Sequence, residues 1–165
     1  MGFLSRKKGQ TVFDTITLLI ALFIIALGAV VGSMVFSGVN DDFQADATIN
    51  ADAKAAMSSM NVGYSTWFDA AILSALIFFW VLLLVTSFLI DTHPVFFIVT
   101  VVLLLAVFVV SMYIANAYEE LMLDDDLAPF AVNFPFTNFI MSNLLLIMIV
   151  MGLSTGVALY AKFSG

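Results

Sequence analysis

Hydrophobic and polar positions along this chain fall into long blocks rather than the short alternations of a soluble domain. Four runs free of Asp, Glu, Lys, Arg and His stand out, at residues 15–37, 70–90, 95–115 and 139–161. As helices rising about 1.5 Å per residue, each reaches about 30–35 Å, which matches a hydrocarbon layer of about 30 Å. The pattern predicts an all-α polytopic integral membrane protein, with four transmembrane helices in a single membrane domain over 1–165 and short amphipathic segments between them.

The intervening segments refine that frame. Residues 1–14 form a basic head before span 1. Residues 38–66 read as an outer loop: Ile49, Ala53, Ala56, Met57 and Met60 recur at helical spacing, with Asp46, Asn50 and Lys54 elsewhere on the wheel, so a short amphipathic helix is expected inside it. Asn61, Val62 and Gly63 close that helix, and Tyr64 and Trp67 stand where an aromatic belt belongs. Asp69, at the mouth of span 2, is expected to cap its own helix. Residues 91–94, Asp-Thr-His-Pro, are short enough to require an antiparallel pair of adjacent helices. In the second outer loop, 116–136, the helix runs on through Met122. Pro129 and Pro135 then frame Phe130, Phe134 and Phe136, which suit a headgroup layer or a partner protein.

Composition agrees with lipid as the solvent: 63% of residues are hydrophobic and 10% charged, against about 25% charged in soluble domains. Net charge is −7, and its sorting says more than its sum. Arg6, Lys7, Lys8 and Lys162 flank one side of the spans. The other side carries Asp41, Asp42, Asp46, Asp52, Glu119, Glu120, Asp124, Asp125 and Asp126 against Lys54. Both termini are therefore expected on the cytoplasmic or equivalent inner side, with the larger loops outside. Cysteine is absent, which excludes disulfides and thiolate chemistry. At Lys7-Lys8-Gly9-Gln10 the head resembles the class III signal of archaeal type IV pilin-like proteins, a basic pair and Gly-Gln before an apolar helix. The resemblance implies processing at Gly9-Gln10. It covers about ten residues, and Val12 and Asp14 stand where that pattern has Ser and Glu, so a retained positive-inside anchor is the reading kept.

Candidate chemistry is sparse. Gly28 with Gly32, and Gly152 with Gly156, form G-x-x-x-G pairs, which mark faces for close helix packing. Trp80 falls near mid-depth and its indole N–H needs an acceptor on a neighbouring helix, a serine or threonine hydroxyl. Asn143 also wants an interhelical partner. Asp91 with His93 is too small a set for a metal site, and Asp124, Asp125 and Asp126 lack the spaced ligands of a calcium loop. The central parts of the spans hold no ionisable side chain and no sign of a broken helix, which speaks against pumps and coupled transporters. Nothing assembles a nucleophile with a base, a nucleotide cradle or a basic nucleic-acid patch. The expectation is a non-enzymatic structural or assembly subunit without cofactors, held among other membrane or capsid-type subunits, as in a virion membrane linking a bilayer to a capsid. Its contact candidates are Asp124, Asp125, Asp126, Phe130, Phe134 and Phe136. A self-associating channel or holin-like permeabiliser is the alternative, with the glycine pairs supporting a homo-oligomer; an accessory subunit of a cellular membrane enzyme or secretion complex is another.

Overall fold

The computed structural model describes the backbone of residues 10–89 and 94–163, and the side chains of 15–87, 101–102, 104–158 and 160–161. The basic head through Lys8, and Asp91 and His93 of the expected turn, lie outside the described residues. Six helices follow in order: α1 Gln10–Ala45, α2 Ala51–Leu89, α3 Pro94–Met122, α4 Ala128–Ala131, α5 Pro135–Ser142 and α6 Leu144–Phe163. The described chain is all-helical. Three helices are long and apolar enough to cross a membrane, and a fourth if α5 and α6, bent by 71° at Asn143, count as one broken span.

Two expectations about helix ends are overturned. Residues 38–66 are not a loop: α1 continues to Ala45, α2 starts at Ala51, and only 46–50 turn the chain. Asn61, Val62 and Gly63 sit inside α2 rather than ending it. A glycine in a helix costs about 1 kcal/mol, too little to break a helix whose neighbouring turns are packed, as they are here by Tyr64 against Phe36 of α1 (ring centroids 5.6 Å, stacked). The second correction concerns 139–161, which is not one continuous helix but parts at Asn143.

Local chemistry fixes the α1–α2 turn. The Asp46 carboxylate accepts from the Thr48 N–H (2.8 Å) and hydroxyl (2.7 Å), and Asn50 accepts from the Ala53 N–H at 2.7 Å, the bond expected of a helix N-cap. Across the hairpin, Lys54 Nζ donates to the Gln44 carbonyl (2.7 Å) while Gln44 Nε2 donates to the Lys54 carbonyl (2.9 Å). The lone lysine of this end thus satisfies a carbonyl in the last turn of α1, where a cation also suits the helix dipole.

Packing of α1 follows one face. Leu19, Leu22, Ala26, Ala29 and Ser33 recur at three- and four-residue steps, Asn40 follows two turns later on the same face, and all are buried; the small side chains among them let other helices approach closely. A second, tighter zone lies where the described ends of α3, α4, α5 and α6 meet: Tyr118, Phe134, Ile140, Met141 and Leu144 are essentially inaccessible. Outward faces of the long helices are apolar, with Ile24, Phe78, Val102 and Leu153 each at least 60% exposed, a surface of the kind that marks a membrane or protein contact.

Candidate functional site

The most organised polar group in the described chain surrounds Asp69. Its side chain is 2% exposed, although it lies where the sequence suggests a boundary group. The short helix α5 explains why. The residue before α5 is Phe134, which has no side-chain atom to cap it, and Pro135 at the first position has no N–H to offer. Two amides remain exposed at the start of the helix, and both point at Asp69: Phe136 N–H donates to Oδ2 at 3.0 Å and Thr137 N–H to Oδ1 at 2.6 Å. The Thr137 hydroxyl adds a third donor to Oδ1 at 2.7 Å. Asp69 is a cap, but for α5 and not for its own helix, which corrects the sequence reading; it lies well inside α2, where the backbone is already paired.

Asn138, one residue further along α5, carries the network outward. Its Nδ2 donates to the Ala131 carbonyl at the end of α4 (2.7 Å), and its Oδ1 accepts from the Tyr118 hydroxyl of α3 (2.7 Å). Asp69, Thr137, Asn138 and Tyr118 therefore tie α2, α3, α4 and α5 together beneath Phe134. No buried side-chain nitrogen or oxygen among the described residues lacks a partner, as a dry polar cluster requires.

This arrangement positions elements; it holds no reactive pair. Both Asp69 oxygens accept hydrogen bonds from groups with structural work, and the Tyr118 hydroxyl is spent on an amide oxygen. Among the described residues no three His, Asp or Glu side chains converge as they would on a metal ion. Hydroxyls within the long helices mostly bond their own backbone: Ser87 to the Leu83 carbonyl (2.7 Å), Ser111 to that of Phe108 (2.8 Å), Thr155 to that of Met151 (2.8 Å). One of them reaches between helices. Trp80 Nε1 donates to Ser154 Oγ at 3.0 Å, the hydroxyl acceptor its position demanded.

The other singled-out residues scatter. Gly32 lies directly against the Tyr64 hydroxyl of α2, and a side chain at Gly152 would come within 2.7 Å of Leu104 of α3, whereas Gly28 and Gly156 face open space. Asn143 finds no interhelical partner; its Nδ2 donates to the Phe139 carbonyl one turn back (2.9 Å). Asp124, Asp125 and Asp126 are exposed, with Asp124 Oδ1 accepting from the Asp126 N–H (2.9 Å). Of the three aromatic candidates Phe134 is enclosed, Phe130 half-buried against the core and Phe136 half-exposed, so the segment does not present its rings to a single neighbour. The Asp69–Thr137 pairing was invisible to sequence reasoning, because nothing periodic links residues so far apart; the one available hint was a proline-started helix preceded by a residue unable to cap it. No protein-family model, curated protein or solved structure matches this chain.

Proposed function

We propose that this chain is a multi-pass membrane protein acting as a non-enzymatic structural or assembly subunit, with the paired ends of α1 and α2 as the part that reaches out of the bilayer. The observation that carries this reading is helix length. At 36 and 39 residues, α1 and α2 are about 54 and 58 Å long, against about 30 Å of hydrocarbon. Residues 51–68 of α2 rise about 27 Å beyond Asp69, the level at which α4 and α5 close the bundle. A rigid, cross-braced hairpin of that height serves to bridge a lipid layer and a neighbouring protein. A virion membrane joined to a capsid is one assembly of this kind; a larger cellular membrane complex is another.

The cysteine-free sequence makes the test direct. A single cysteine at exposed Ser58, carrying a short photo-crosslinker, is expected to capture one protein in fixed stoichiometry from native membranes in mild detergent. Purified protein in dye-loaded vesicles is expected to leave the dye inside. Dye release together with no capture would replace the assembly reading with a permeabiliser.

A further inference from the structure

We infer that α5 is an in-plane anchor seated in the headgroup layer of a lipid bilayer, and that together with Trp67 and Tyr113 it marks the outer edge of the hydrocarbon at the level of Asp69. This rests on the multi-pass reading and goes further, because it fixes where along the bundle the bilayer ends.

The level follows from the registers between helices. Trp80 of α2 bonds Ser154 of α6, and counting back equally along both helices brings Asp69 beside Asn143, the last residue before α6. At the other end of α5, the same Asp69 takes the amides of Phe136 and Thr137. Both ends of α5 therefore lie at one height, and the helix runs across the bundle axis. The 71° bend at Asn143, whose Nδ2 donates to the Phe139 carbonyl, agrees with that course. On the remaining side α3 runs opposite to α6: Tyr118 bonds Asn138, and Leu104 lies against Gly152. Equal counting from the Leu104 contact sets Tyr113 at the height of Asn143.

What this height carries is aromatic. Among the described residues, the exposed Trp and Tyr side chains are Trp67 at 79%, Tyr113 at 68% and Tyr160 at 65%. The first two stand at or within one turn of Asp69; Tyr160 lies about 25 Å further along α6, close to the thickness of a hydrocarbon layer of about 30 Å. Rings with an apolar body and a polar tip collect at the two membrane interfaces, and that separation matches one bilayer. Helix α5 fits the outer of the two levels by its own chemistry. It buries Thr137, Ile140 and Met141 against the bundle and turns Phe136 and Phe139 outward, both exposed. No residue from 127 to 161 is charged, and the carboxylates begin immediately before, at Asp126. A helix bathed in water has no use for a charge-free face bearing two phenylalanines, whereas the boundary between headgroups and acyl chains accepts one.

The experiment measures depth in the full-length protein, reconstituted in phosphatidylcholine vesicles. Single cysteines at Phe139, Tyr113, Leu153 and Ser58, all exposed, carry a spin label, whose relaxation by oxygen, concentrated in lipid, is compared with that by a nickel chelate confined to water. The Leu153 label should respond to oxygen and the Ser58 label to nickel. Labels at Phe139 and Tyr113 should share one depth, near the phosphates and about 10–15 Å shallower than Leu153. The anchor is overturned by a Phe139 label as open to nickel as that at Ser58, which puts α5 in water, or by one shielded from both reagents, which puts protein over it. It is also overturned if Phe139 and Tyr113 read as deep as Leu153, since the bilayer would then end higher on the hairpin. In each of these cases an oxygen-rich Leu153 leaves the multi-pass reading standing; a Leu153 label open to nickel removes that reading and the anchor with it.

Discussion

At the scale of single residues, the two glycines of each G-x-x-x-G pair do different work, and their substitutions should differ in sign. A methyl group at Gly32 meets the Tyr64 hydroxyl, whereas at Gly28 it meets nothing. Gly32→Ala must displace Tyr64 from its stack on Phe36, an overpacking cost of about 1–3 kcal/mol. Gly28→Ala only relieves the entropic cost of glycine in a helix and should gain about 0.5–1 kcal/mol. Thermal unfolding in detergent, followed by circular dichroism, is expected to move down for the first and up for the second; a shift of the same sign in both would mean that Tyr64 does not sit where it is placed. The Trp80–Ser154 bond offers a spectroscopic counterpart. Ser154→Ala strips the indole of its acceptor at a cost of about 1–3 kcal/mol. In a Trp67→Phe background, which leaves Trp80 as the sole tryptophan, its fluorescence should shift to the blue, with Ser154→Thr restoring the parent spectrum.

Elements show more clearly what a sequence can and cannot disclose. Three of the long apolar runs were legible as helices long and apolar enough to cross a membrane because length and apolarity are both read by counting. Trp80 was legible for a related reason: a buried donor demands an acceptor, and few are on offer. Helix ends resisted. Residues 38–69 mix alanine and methionine, good helix formers, with polar side chains, and contacts across the hairpin, Tyr64 on Phe36 and Gln44 with Lys54, favour the continued helices. The bend at Asn143 resisted because one asparagine in an apolar run reads equally as a helix residue and as a helix end, and Asp69 resisted because its partners in α5 are distant in sequence. The hairpin tip is a contrasting case, governed by neighbours in the chain. Hydrogen bonds from the Thr48 hydroxyl and N–H, with Lys54 nearby, hold the Asp46 carboxyl below its ordinary 3.8. A depressed value means that the turn gains stability from the ionised form above 3.8 and loses it as pH falls through the lower folded value. The Thr48 amide resonance should accordingly titrate with a midpoint below 3.8, and Thr48→Ala should move the Asp46 midpoint back toward it. A midpoint at or above 3.8 in the parent protein would mean that the turn is not formed.

For the whole molecule, the contact between Asp69 and the start of α5 has a consequence for the two described loops at that end. It fixes the 123–134 segment beside the level at which α2 leaves the bundle, so the 46–50 tip and the acidic Asp124, Asp125 and Asp126 belong to one end of the protein. Their carboxylates are therefore expected to share one aqueous compartment, since an Asp at the centre of a membrane helix costs about 2.5–3.5 kcal/mol. Basic residues sort the opposite way, with Arg6, Lys7 and Lys8 before α1 and Lys162 at the end of α6, and cationic flanks stay on the cytoplasmic side. Single cysteines at Ser58 and Asp125 are therefore expected to react with a membrane-impermeant maleimide from the same face of sealed, oriented vesicles. A cysteine at Ser5 should react only once the opposite face is exposed. Should Ser58 and Asp125 prove reachable from opposite faces, α3 would have to run the other way relative to α2, and the Asp69 cap, the α5 bend and the stalk height would be lost with that pairing.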